Sequence, residues 1–469
     1  MNEIKHSIVK IEIDIVDDDN SKTKQSNLLE EEKKHNGILL LLSITTIFGM
    51  STWFSASAVI PALRMKWNVS NLAISILTLS VNTGFLIGAL LSIHFDIADY
   101  YKPSKLMACG SILSAAFNLI LIFPNVHLVV AIVSRLLTGA AMAIVYPMAS
   151  KVCCTWFLKR RGLAMGVIIA SVTFGAAAPS LINGTIKLHW QLVVITTSIL
   201  SLIGGIMSAC FLNEGPLYVS KKENFNNVID SSINNNKKNN NNDVNNNKMD
   251  DMNKNNKIWV DVIKNKAFVL GTLSYSGHNW EIYALWTWFT SFAYDKGIGQ
   301  MLILNELDAS NGASLASFFV IAVGVIGSIA GGILADEYGR TTICIISLCF
   351  SILCSLIVAW LNASPAILLF FGILWGNFTV SESAQYSSMV TEVVKPENIG
   401  TASTLQFAIG YIFTIPSMYV VPYFKSIAGW GVAWSSLTIG PVIALIGVYL
   451  LRFHPLSIAA KNKVGRKVF

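Results

Sequence analysis

Apolar residues along this chain fall in long blocks rather than at helical or strand spacing. A bilayer core about 30 Å thick is crossed by about 20 apolar residues in helical form, and blocks of that length recur along the whole sequence. The pattern predicts twelve spanning helices. Six lie in the first half, at Ile38–Ala62, Leu72–Ile93, Leu106–Pro124, His127–Lys151, Gly162–Gly184 and Trp190–Leu212. Six lie in the second, at Ala267–Tyr294, Ala309–Ala335, Thr341–Trp360, Ala366–Val390, Ile399–Pro422 and Gly431–Phe453. The expected fold class is therefore an all-α polytopic membrane protein.

The polar stretch 213–266 divides six helices from six. Its centre is built from asparagine and lysine, as in Asn239–Asn242 and Asn245–Asn247. Such a tract cannot bury enough apolar surface to fold, so a disordered linker is expected. The domain plan is a tail at 1–37, a six-helix bundle at 38–212, the linker at 213–266, a second bundle at 267–453 and a basic tail at 454–469. Two bundles joined by a polar loop point to related halves packed side by side. No cleavable signal peptide is visible, so the first helix is expected to act as the insertion signal.

Composition agrees with lipid as the solvent. Of 469 residues, 53% are apolar and 13% charged, against about 25% charged in an ordinary soluble domain. The net charge of +7 points to membrane orientation rather than to nucleic acid, because lysine and arginine gather on the cytosolic side. With the N-terminus in the cytosol, the opposite side holds only Arg64, Lys66, Lys187, Lys296 and Lys425 of the 34 basic residues. Both termini and the linker are thus expected to be cytosolic. The seven cysteines (Cys109, Cys153, Cys154, Cys210, Cys344, Cys349 and Cys354) lie in or beside apolar blocks and fit small packing residues.

A few polar residues interrupt the apolar blocks. Arg135 is the only basic residue deep in a helix, and a charge at membrane depth points to function. His278 and Glu281 sit three residues apart on one face of the seventh helix. Glu281 is about 14 residues into that helix, roughly 21 Å along it and near mid-membrane. A carboxyl there could take up and release protons, with His278 tuning it. Glu382, Gln385 and Tyr386 share a face of the tenth helix. The first helix offers Ser51, Trp53, Ser55 and Ser57, and the seventh adds Trp286. These residues lie on helices one, four, seven and ten, and polar groups at that depth must face protein or water. Helices three, six, nine and twelve carry hardly any charge and are expected to face lipid.

The clearest motif is the turn Gly332-Ile333-Leu334-Ala335-Asp336-Glu337-Tyr338-Gly339-Arg340 between helices eight and nine. It resembles the loop signature of the major facilitator superfamily, with Glu337 where that family usually has a basic residue. The matching loop between helices two and three keeps Asp99, Lys102 and Lys105 but lacks the Gly-Arg pair. Arg135-Leu136-Leu137-Thr138-Gly139 resembles the family's fourth-helix signature. Gly277-His278-Asn279-Trp280-Glu281, Ser383-Ala384-Gln385-Tyr386 with Val390-Thr391-Glu392, and Trp156-Phe157 before Arg160-Arg161-Gly162 resemble a bacterial branch near the nitrate and cyanate transporters. The nitrate signature is absent, and so is the sugar-porter pattern at Asn213-Glu214-Gly215-Pro216. Gly166, Gly175 and Pro179 match the drug-antiporter signature only in part, since Ala178 replaces its last glycine.

The resemblance implies two six-helix bundles, a central cavity lined by helices one, four, seven and ten, and a latch at Gly332, Asp336, Gly339, Arg340 and Asp99. Arg135 would face that cavity. The expected function is secondary transport of a small organic solute, an anion slightly favoured, coupled to protons through Glu281 first and Glu382 second. The alternatives are a proton-driven exporter of drugs or organic cations, and a non-transporting receptor or scaffold on the same fold. A monomer in the lipid bilayer is expected, with no cofactor, no metal, no nucleic-acid partner and no enzymatic activity; no phosphate-binding loop or nucleophile elbow is present.

Overall fold

The computed structural model describes residues 35–68, 71–95, 97–124, 126–157, 161–185, 189–216, 218, 262–303, 308–394 and 399–455. Residues 1–34 and 456–469 of the two tails and most of the 213–266 linker lie outside the described residues. Every regular element among those described is helical.

The first half holds α1 (His35–Met50, resuming at Ser55–Ala58 and Ile60–Trp67), α2 (Asn71–His94), α3 (Pro103–Leu119), α4 (Leu128–Met142, resuming at Tyr146–Trp156), α5 (Arg161–Thr185) and α6 (Trp190–Phe211). The second half holds α7 (Lys266–Asp295), α8 (Ala309–Ala322, resuming at Gly324–Tyr338), α9 (Arg340–Trp360) and α10 (Pro365–Ser381, resuming at Ser383–Val393). The run Ile399–Ser435 turns at Gly429, whose φ of 79° is non-helical. This makes α11 over 399–428 and α12 over 430–452.

Nine described stretches are long and apolar enough to cross a membrane, and the longest, Ala402–Arg452, contains both α11 and α12. Two predicted crossings fall outside that set for physical reasons. α1 breaks after Met50, leaving a short apolar piece, and α7 is diluted by Ser274, Ser276, His278, Asn279 and Glu281.

The break in α1 covers residues 51–54, in the sequence Ser51-Thr52-Trp53-Phe54-Ser55. Hydroxyls there bond back to nearby carbonyls: Ser51 to Phe48 at 2.7 Å and Ser55 to Thr52 at 2.9 Å. Such local bonds compete with the helical ladder. α10 breaks at Glu382, where Ser381 donates back to Phe378 at 2.9 Å. In α4 the break at 143–145 precedes Pro147, which sits in the first turn of the resumed helix.

In the first half, α2 packs on α4 and α3 on α6. A Cβ on Gly139 would stand 1.9 Å from the Val81 carbonyl oxygen, so the α2–α4 contact requires glycine. In the second half, α7 packs on α11 and α12, and α8 and α9 on α10. The halves meet where α5 runs along α8 and α2 along α11. Large apolar side chains stay exposed on α6 (Ile199, Ile206), α9 (Phe350, Leu353) and α12 (Ile446, Leu450), faces suited to lipid.

Candidate functional site

Arg135 is 1% exposed, and its two terminal nitrogens bond within the first half itself, while Nε is buried without a partner among the described residues. Nη1 donates to the Thr52 carbonyl at 3.1 Å, Ser55 Oγ at 3.2 Å and Asn118 Oδ1 at 2.6 Å; Nη2 donates to the carbonyls of Thr52 and Trp53. The planar fork of arginine suits this role. It supplies the Trp53 carbonyl, which the broken α1 leaves without a helical donor, and reinforces the Thr52 carbonyl, whose backbone donor among the described residues is the Ser55 amide at 3.4 Å. Arg135 thus ties α4 to α1 and α3 instead of presenting its charge openly to a cavity, as the sequence suggested. Asn118, on a helix expected to face lipid, completes the cluster by donating to Ser198 Oγ at 2.9 Å.

Glu281 has a counterpart position in the second half. Ser351 Oγ of α9 lies 2.8 and 2.9 Å from its two oxygens, and Trp375 Nε1 of α10 donates to Oε1 at 2.8 Å. Ser351 also meets Thr379 Oγ1 at 3.0 Å, and Thr379 donates to the Trp375 carbonyl at 2.8 Å. Glu281 is fully buried, and among the described residues no basic side chain reaches it. The expected partnership with His278 does not form: the two share a helix face but belong to different clusters.

His278 pairs with Glu382 instead. His278 Nδ1 is 2.9 Å from Glu382 Oε1, and Nε2 is 2.6 Å from Ser383 Oγ. Both side chains are at most 2% exposed. The pair sits at the α10 break, and Tyr386 lies beside it, its ring 5.3 Å from the His278 ring. Tyr275, 6.2 Å away, leads to Phe407 at 5.7 Å and then to Tyr146 of the first half at 5.1 Å. This route connects the His278–Glu382 pair to the interface between the halves. Because the Ser383 hydroxyl can donate to Nε2 or accept from it, the pair can hold one proton more or one fewer without losing a bond.

Aromatic rings fill the middle of the interface. Trp53 and Phe85 of the first half meet Tyr411 at 6.0 and 4.2 Å, Trp53 meets Tyr283 at 5.8 Å, and Phe54 meets Trp286 at 6.0 Å. The hydroxyls of Tyr283 and Tyr411 bond to each other. Sequence reasoning found Trp53 and Trp286 but missed Phe54, Phe85, Tyr283 and Tyr411. Isolated aromatics in apolar helices carry no polar signal. The break in α1 and the shared register of α7 and α11 are what bring them together. Asn118 and Ser351 were missed because α3 and α9 were expected to face lipid, yet each buries several polar side chains (Ser111, Ser114 and Asn118; Ser347, Ser351 and Ser355); Trp375 of α10 was missed because an isolated indole in an apolar run carries no polar signal.

The motif turn closes one end of the interface. Gly339 has φ 96°, a conformation that favours glycine. Asp336 accepts from the Leu163 amide at the start of α5 at 3.3 Å, where the free amides of a helix N-terminus attract an acid. A Cβ on Gly332 would stand 2.7 Å from the Gly162 carbonyl oxygen, so glycine sets the close approach of α8 to α5. Arg340 is 3.7 Å from Asp336, 2.6 Å from Glu392 and 3.4 Å from Gln385. Asp336 therefore reaches across the halves, while Arg340 ties the turn to α10 and holds Gln385. The side chain of Asp99 lies outside the described residues. At the opposite end Asn311 donates to the Asn183 carbonyl at 2.7 Å, and Asn183 to Ser314 at 2.9 Å, so α5 and α8 meet at both ends.

No cluster of metal ligands occurs among the described residues. The sequence profile of the Major Facilitator Superfamily matches residues 41–418. No curated protein matches the chain.

Proposed function

The chain belongs to the major facilitator superfamily and is a membrane-embedded secondary transporter, and on that footing we propose that it carries a small organic solute by alternating access, driven by protons exchanged at His278 and Glu382. The solute site is the aromatic meeting of the two halves. Its rings come from α1, α2, α7 and α11, so rocking of one half against the other opens and closes it.

The observation that carries the proton assignment is the buried His278–Glu382 contact at the break in α10. It supports a coupled pair sharing a proton, and the tyrosine route through Tyr275 links it to the interface. Glu281 ranks second. Its hydroxyl chain through Ser351 and Thr379 suits either protonation state, but where rings lead from His278 to Tyr146 of the first half, the ring of its partner Trp375 leads to Trp434 of the same half. The proposal includes a monomer with both termini cytosolic, and a place near the nitrate and cyanate carriers supported by the Gly277–Glu281 run.

The test is uptake of a broad solute panel into proteoliposomes, with and without an imposed pH gradient. Glu382→Gln is expected to abolish gradient-driven accumulation while solute exchange persists. Accumulation with unchanged pH dependence in both Glu382→Gln and Glu281→Gln would remove the proton assignment. A panel in which nothing moves would favour a receptor or scaffold.

A further inference from the structure

We infer that the solute is a planar organic monocarboxylate, its ring held among Trp53, Phe54, Phe85, Tyr283, Trp286 and Tyr411 and its carboxylate on the indole N–H groups of Trp53 and Trp286. This deepens the carrier reading and rests on it.

The first ground is an excess of donors. Trp53 and Trp286 are 3% and 6% exposed, and Nε1 of each is buried without a partner. An indole N–H only donates, and buried polar groups left unpaired are rare enough to require an explanation. Both indoles flank the same ring, with Tyr283 5.8 Å from Trp53 and 6.1 Å from Trp286. The nearby tyrosine hydroxyls of Tyr283 and Tyr411 already engage each other. What the cluster lacks is an acceptor.

The second ground is charge. Arg135 Nη2 holds the backbone carbonyl of Trp53, so a guanidinium, though braced within the first half, lies against the residue that carries one of the two donors. Among the described residues no carboxylate reaches it. Buried carboxyls such as Glu281 and Glu382 can discharge by taking up a proton, whereas a guanidinium keeps its charge. The persistent charge beside the rings is therefore positive and favours an anion. Ring faces alone would also accept a cation, which is the competing ligand class.

The third ground is shape. The rings now touch one another, at 4.2 to 6.1 Å between centroids, so parting the halves by one ring's thickness opens a slot between ring faces that a flat guest fills.

The test is calorimetric titration of the purified full chain in detergent with benzoate, benzamide and benzyltrimethylammonium, three heads on one ring. Benzoate is expected to bind tightest, benzamide more weakly and the cation not at all. Trp53→Phe and Trp286→Phe keep a ring but delete the donor, and each should weaken benzoate by about tenfold or more. A thermal melt establishes that each variant is folded; the three-ligand ranking on the unaltered chain stands without them. Tighter binding of the cation, no benzoate binding, or benzoate affinity unchanged in both folded variants overturns the inference. If benzoate fails to bind but a pH gradient still drives uptake of another solute, only the ligand class falls. If benzoate binds but no gradient affects any solute, only the proton coupling falls.

Discussion

Replacing Arg135 by methionine should loosen the break in α1. The side chain has four kinds of partner: the Thr52 and Trp53 carbonyls, Ser55 Oγ and Asn118 Oδ1. Thr52 O keeps the Ser55 amide at 3.4 Å, and the Ser55 hydroxyl, 2.9 Å from Asn118 Oδ1, can serve that oxygen. Trp53 O is then left without a donor. A buried polar group stripped of its partner costs about 1–3 kcal/mol. Hydrogen bonds between helices in a bilayer measure nearer 0.6 kcal/mol on average, and methionine also removes a desolvated charge. Both corrections pull the expected loss to the low end, about 1 kcal/mol. Arg135→Lys keeps the charge, but one ammonium cannot span α1 and α3, so it should recover no more than about half of that loss. Equilibrium unfolding in mixed micelles measures both variants. A lysine variant equal to the parent in stability and in ligand affinity would refute the bracing role and leave Arg135 as a simple point charge.

Glu281→Gln should retain gradient-driven accumulation in proteoliposomes while Glu382→Gln loses it; the reverse order would return the principal role to Glu281. Asp336→Ala removes an acid that caps α5 from across the interface, an interaction worth about 1 kcal/mol. Hydrogen exchange in the first turn of α5, residues 162–166, should then rise about fivefold, and unchanged exchange would take Asp336 out of the latch. Gly139→Leu places its Cβ 1.9 Å from Val81 O and should abolish folded protein, whereas Gly37→Ala, with nothing within 4 Å of its Cβ, should express as the parent does; a monodisperse Gly139→Leu protein would contradict the α2–α4 packing.

Much of the architecture is written in hydropathy. Runs of about 20 apolar residues can satisfy their backbone in lipid only as helices, so the order and approximate ends of α2 to α12 follow from the sequence. The Gly332–Arg340 turn is legible because Gly339 needs its positive φ locally, whereas the partner of Asp336, the N-terminus of α5, lies 173 positions away and is not. Local sequence also flags Arg135, His278, Glu281 and Glu382, because charge is costly in any lipid-embedded helix.

Their pairing belongs to the tertiary structure. His278 and Glu281 share a helix face, yet α10 offers Glu382 to one and Trp375 to the other, a choice set by the α7–α10 register. Arg135 reads as a cavity charge until α1 is found broken beside it, with the Trp53 carbonyl in need of a donor. The aromatic interface is the extreme case. Trp53, Phe85, Tyr283 and Tyr411 are ordinary apolar positions one helix at a time, and they come together only where α1 and α2 pack against α7 and α11. Hydropathy is a property of each segment and can be read in order along the chain; a contact between residues more than 200 positions apart depends on how helices pack, and no single segment encodes it.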